Sequence, residues 1–149
     1  MTFTKEEISE KFHQCYHWRT RDDFEKIYAE ESQRAERGIG LTRLKDVKDF
    51  WLVMAIKLPQ PTFSGDAHSQ IPWLYDIDWH FDRFDQGLVE YGTRVPNEIL
   101  GYIQKASAGA RQLFNDGQTD PASSLMFRVF SLSWTRKDSL PKWAKQFDD

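Results

Sequence analysis

The sequence predicts a mostly α-helical protein, a single-domain bundle of five to six helices. Three observations predict it. Apolar residues recur three and four apart in successive segments, several of those segments open on capping residues and stop at glycine or ahead of proline, and a length of 149 residues fits one domain over 1–149. The β alternative is a small two-stranded element pairing residues 50–56 with 125–134 (LMFRVFSLSW), both rich in β-branched and aromatic side chains; a lone strand has no partner, so both or neither form.

Thr4-Lys5-Glu6-Glu7 has the form of a capping box, and Ile8 and Phe12 follow four apart, so a first helix is expected over about 5 to 18. Thr20, with Asp22 and Asp23 behind it, opens a second, with Phe24, Ile27, Tyr28 and Ala35 on one face and Gly38 as its stop. A third begins at Thr42 and carries Leu44, Val47, Trp51 and Met54, ending before Leu58-Pro59. Residues 59–71 combine two prolines with Gly, Ser and Asp and read as an ordered loop.

Residues 72–91 are expected to form the central helix. Counted at 100° per residue from Trp73, Ile77, Phe81, Phe84, Leu88 and Tyr91 fall within an arc of about 80°. Pro72 suits a first helical position and Gly92 a stop, whereas Gly87 weakens the interior by roughly 1 kcal/mol. A strand competes here because Tyr75, Ile77, Trp79 and Phe81 alternate with Asp76, Asp78, His80 and Asp82, but the alternation fails at Phe84. Pro96 starts another helix, carrying Ile99, Ile103, Ala106, Ala110, Leu113 and Phe114 and closing at Asn115 to Gly117; its small-residue stretch 106–110 permits close approach of a neighbour. Pro141 opens a last short helix with Trp143 and Phe147 as a docking pair.

Composition narrows the function classes. Net charge is −3, and the acidity is regional: residues 1–57 balance, 58–98 carry seven acids against Arg83 and Arg94, and 99–149 are slightly basic. General phosphate-backbone binding is therefore disfavoured, and no direct nucleic-acid partner is expected. With a single cysteine, Cys15, no apolar run near the roughly 18 residues of a membrane span and no signal-like start, the expectation is a cytoplasmic protein without membrane contact.

No catalytic motif is strong. His13 and His17 have the i,i+4 spacing of a helical zinc pair, but Cys15 would point away from His13 and no H-E-x-x-H order is present, so structural histidines are expected. Asp76, Asp78 and His80 would line one face of a strand as a divalent-metal site of a hydrolase or transferase, with His13 or His17 as more distant ligands. The nearest lysines are Lys57 and Lys105, so that reading needs help from afar. Ser64, Asp66 and His68 lack the spacing of a nucleophilic triad, and Gly38-Ile39-Gly40 lacks the rest of a phosphate loop.

Aromatic residues carry more weight: 6 Trp, 5 Tyr and 11 Phe. On the helical wheel Tyr75 and Trp79 fall opposite the apolar stripe, beside Asp78, Asp82 and Asp85. The expectation is that these five form a docking surface for a basic protein partner, such as a nuclease toxin neutralised by an immunity- or antitoxin-type inhibitor, with no cofactor and with the protein a monomer or weak homodimer. The bland alternative places both rings in a second layer of the core. A small helical subunit of a homo-oligomeric assembly is the remaining rival.

Overall fold

The computed structural model describes residues 3–37, 41–59, 71–136 and 140. Among them are six α-helices and no strand: α1 (Lys5–Cys15), α2 (Arg21–Arg37), α3 (Leu44–Lys57), α4 (Ile77–Tyr91), α5 (Asn97–Asn115) and α6 (Thr119–Phe130), with a 3-10 turn at Pro72–Leu74. Residues 60–70 of the expected loop 59–71, the Gly38–Gly40 turn and the helix after Pro141 lie outside the described residues.

Local chemistry sets the helix ends. The Thr4 hydroxyl accepts from the Glu7 amide at 3.2 Å and the Glu7 carboxylate accepts from the Thr4 amide at 3.3 Å, which is the capping box. Thr20 and Asp23 repeat that exchange at α2, both bonds at 3.1 Å. Helix α1 stops at Cys15, three residues early, with Tyr16 as its cap and tilted against Phe12 at 5.1 Å. At the end of α5, Gly117 adopts φ +80°, Gln118 N–H donates to the Leu113 carbonyl and Gly117 N–H to that of Phe114, closing the helix in a Schellman arrangement.

The β alternative does not form. Residues 50–57 continue α3, where Val47, Phe50, Trp51, Met54 and Ala55 are buried on helical spacing. Residues 125–130 belong to α6, where Ala122, Leu125, Met126 and Val129 repeat three and four apart. A window opened at Leu125 cuts that stripe off from Ala122 and leaves only its apolar half to read.

Helix α3 packs on α4, α4 on α5, α5 on α6, and α6 closes back on α3, giving a four-helix ring. Trp51 lies at its centre, donating its indole N–H to the Met126 carbonyl at 2.7 Å and meeting Phe84 and Trp134. The small-residue face of α5 (Ala106, Ser107, Ala110) is buried, and a Cβ on Gly109 would stand 3.7 Å from Leu125, so the close approach is to α6. Gly87 also has a packing reason: a Cβ there would lie 2.8 Å from a Leu41 methyl and 3.3 Å from a Val47 methyl, so glycine lets α3 sit close on α4.

A second apolar cluster lies outside the ring. Ile8 and Phe12 of α1, Phe24 of α2 and Ile71 are buried together, flanked by Tyr16, Ile27, Tyr28, Trp73 and Leu74. Helices α1 and α2 therefore form an N-terminal layer, stapled by the segment that leads into α4.

Candidate functional site

The candidate surface is α4, and its two sides differ. Asp76 caps the helix, its Oδ1 accepting from the Trp79 amide at 2.8 Å, so the helix begins five residues after Pro72 and the wheel does not extend back to Tyr75. Tyr75 is 1% exposed and donates its hydroxyl to Glu31 of α2 at 3.0 Å. Trp79 is half-buried, donates its indole N–H to the Ala35 carbonyl of α2 at 3.2 Å, and meets Tyr75 edge-on at 4.8 Å. The outward orientation expected for this pair is thus corrected. On the side of α4 opposite its stripe, the first turn meets α2 through Trp79 while Gln86 and Glu90 further along are exposed, and the Tyr75 and Trp79 rings fill a second layer of the fold.

The three carboxylates sit on the edge facing α5. Arg111 donates from Nε and Nη2 to Asp78 Oδ1, both at 2.9 Å, and from Nη1 to Asp82 Oδ1 at 2.8 Å. The Asp82 side chain is 69% exposed, and Asp85 Oδ1 accepts from the buried Ser107 hydroxyl at 2.7 Å. Desolvation pushes the Asp85 carboxyl above its usual range, with nearby Asp82 adding to the rise, against the opposing pull of Ser107 and Arg111. One turn further, Val89 is 72% exposed beside exposed Glu90. Arg111 and Ser107 carry no mark in the sequence, because both lie on α5, 22 to 33 residues away.

The metal reading for Asp76, Asp78 and His80 is also corrected. On a helix these positions do not share a face: Asp76 binds the Trp79 amide, Asp78 turns to Arg111, and His80 is fully buried, stacked on Phe50 at 5.9 Å. The His80 Nδ1 lies 2.7 Å from the Asp76 carbonyl, which can only accept, so that nitrogen carries the proton. Burial lowers the His80 pKa from 6.5 to about 4, with the Asp76 hydrogen bond in opposition, so the ring is neutral at pH 7. His13 packs against Phe12 and Phe24, whereas His17 follows the end of α1 and is exposed against Trp18, so the two do not form a helical pair. Cys15 is an exposed free thiol. Among the described residues no group of three or more His, Cys, Asp or Glu side chains is placed to hold a metal. Ser64, Asp66 and His68 lie outside the described residues.

Helices α5 and α6 frame an open groove of about 490 Å³, lined by Gly109, Gln112, Leu113, Pro121, Ser124, Leu125 and Arg128. Its walls are almost entirely apolar, with Arg128 the charged group on the lining.

Among the described residues no helix is long and apolar enough to cross a membrane. No protein-family model, curated protein or solved structure matches the chain.

Proposed function

We propose that this is a non-enzymatic binding protein whose α4 edge docks on a basic protein surface, in the manner of an immunity or antitoxin protein covering the nucleic-acid-binding face of a nuclease. The observation that carries the reading is the row Asp78, Asp82 and Asp85. The Arg111 guanidinium answers the first two directly, while the Asp85 carboxyl, raised mainly by desolvation against the opposing pull of Ser107 and Arg111, would gain a direct countercharge from an incoming cation. Exposed Val89 supplies the apolar contact beside it. Tyr75 and Trp79 have no place in this surface, since both serve the contact with α2. The protein acts in the cytoplasm as a monomer or weak dimer, without cofactor, membrane or direct nucleic-acid contact.

The test is capture from extract of the source cell at low salt, followed by a rising-salt wash and mass spectrometry, run beside Asp82→Lys and Asp85→Lys variants of unchanged circular dichroism. A basic protein retained by the native chain and bound at least tenfold more weakly by the charge reversals supports the reading. Equal retention by all three chains overturns it. A dimer in sedimentation that resists salt and buries the α4 edge favours the assembly reading instead. A thermal shift with Mg²⁺, Mn²⁺ or Zn²⁺ that Asp78→Asn abolishes favours metal chemistry.

A further inference from the structure

The groove between α5 and α6 takes no part in the acidic edge of α4 or in the docking reading. A short turn after Asn115 joins the two helices, so they pack antiparallel and the groove has two distinct ends. Its middle is apolar. Gly109 and Leu113 of α5 lie across from Leu125 and Pro121 of α6, and the missing side chain at Gly109 keeps the trough open beside Leu125, whose methyl a Cβ there would reach at 3.7 Å. The ends differ in charge. Beside the turn stand exposed Asp116 and Asp120, with Gln112 Nε2 donating to Asp116 at 2.9 Å. At the far end lies Arg128, and antiparallel packing brings to that same end Lys105, exposed on the side of α5 that carries Gln112. The Arg128 charge also reaches the buried Tyr102, where it pulls against the rise that burial imposes on the phenol. Helix dipoles favour acids at the start of α6 and a base at its end, but they give no reason for Lys105 in the interior of α5.

We propose that this groove binds a small monocarboxylate with an unbranched apolar tail, its carboxylate at Arg128 and its tail lying over Leu125 and Leu113 toward Pro121. The guanidinium offers the planar fork that matches a carboxylate, and Lys105 adds positive potential at the same end. Asp116 and Asp120 repel an anion from the other end, so the charge pattern fixes one orientation. Between the ends, Leu113 and Leu125 remove the tail from water, which drives the binding. The volume of about 490 Å³ falls within the roughly 300–1,000 Å³ of small-molecule sites. Along α6 the rise from Pro121 to Arg128 is roughly 10 Å, the reach of a medium-length tail and too short for a membrane lipid. A cationic or neutral ligand would forfeit the guanidinium, and a polyanion would meet an apolar trough with acids at one end.

Titration of the full chain with sodium decanoate below its micelle concentration, followed by amide NMR, tests this. Saturable shifts are expected at Gly109, Leu113, Leu125 and Arg128, with octanoate bound several-fold more weakly because its tail is shorter. Octylamine, which reverses the charge of the head group, should bind about tenfold more weakly than octanoate. Arg128→Gln, at an exposed position, should weaken decanoate about tenfold with unchanged circular dichroism and leave 1-octanol binding as it is, a split that a structural role would not produce. Gly109→Leu should fill the trough and weaken both ligands; if that variant does not fold, Arg128→Gln decides alone. Absence of saturable shifts, equal affinity for octanoate and octylamine, or native affinity in Arg128→Gln each overturns the proposal. So does the same set of shifts arising from protein concentration alone, which would give the groove to a second copy, or retention on phosphatidylglycerol vesicles without decanoate binding, which would give it to a lipid surface.

Discussion

The four-helix ring and the N-terminal layer are both built on aromatic side chains, yet only the ring is closed. Each of its helices has a neighbour on either side, so Trp51, Phe84, Ile103 and Met126 are buried from every direction. Helices α1 and α2 share one apolar seam, completed by Ile71, Trp73 and Leu74 from the segment before α4. Burial of apolar area holds the ring, whereas hydrogen bonds from Tyr75 and Trp79 tie α2 to it across the joint. Similar composition therefore gives one region that loses stability as a unit and another that can part from its support.

The sharpest way to break this distinction is a pair of truncations. Trp51→Ala should cost about 3–5 kcal/mol of global stability in denaturant unfolding, because it empties the centre of the ring and orphans the Met126 carbonyl. Phe12→Ala removes a ring of comparable burial from the other cluster, and hydrogen exchange should show its loss in α1 and α2 while α5 and α6 stay protected. Equal loss of protection everywhere in both variants would erase the distinction.

Acid comes next in size. The unfolded chain binds a proton at His80 near pH 6.5 and the folded chain only near 4, so stability is full above about 6.5 and falls by roughly 3 kcal/mol as pH drops to 4. Unfolding midpoints measured across that range should follow this slope, and His80→Gln should remove this contribution. Trp79→Phe keeps most of the ring but leaves the Ala35 carbonyl without its indole donor, and should loosen α2 by about 1 kcal/mol in exchange experiments. Gly87→Ala has the smallest expected effect. A gain of roughly 1 kcal/mol in helix propensity opposes displacement of Leu41 and Val47, so a thermal melt should move by only a few degrees.

Much of the ring was legible because its helices obey a single period. The α4 stripe of Phe81, Phe84 and Leu88 is buried as the wheel requires, and the α5 stripe and its Gly117 stop are in place. Two features were harder to read. A wheel assigns one buried face to a helix, so Trp79, covered by α2 on the far side, was assigned to solvent; Tyr75 precedes the helix, where the wheel does not apply. The clue to the contact lay elsewhere. Glu31 falls on the α2 face of Phe24, Ile27, Tyr28 and Ala35, a polar residue within an apolar stripe, and it receives the Tyr75 hydroxyl. The acids of α4 were readable as a charged edge, but their counter-ion, Arg111, is fixed by how α5 packs and not by any spacing within residues 72–91.

The staple at Ile71, Trp73 and Leu74 bears on how this protein can be cut. A shortened chain starting at residue 41 retains every helix of the ring, yet it strips the cover from those three side chains and from the flanks of Tyr75 and Trp79. Trimming the first forty residues should therefore yield an adhesive, self-associating product in place of a leaner bundle, and any expression boundary drawn there would be misplaced.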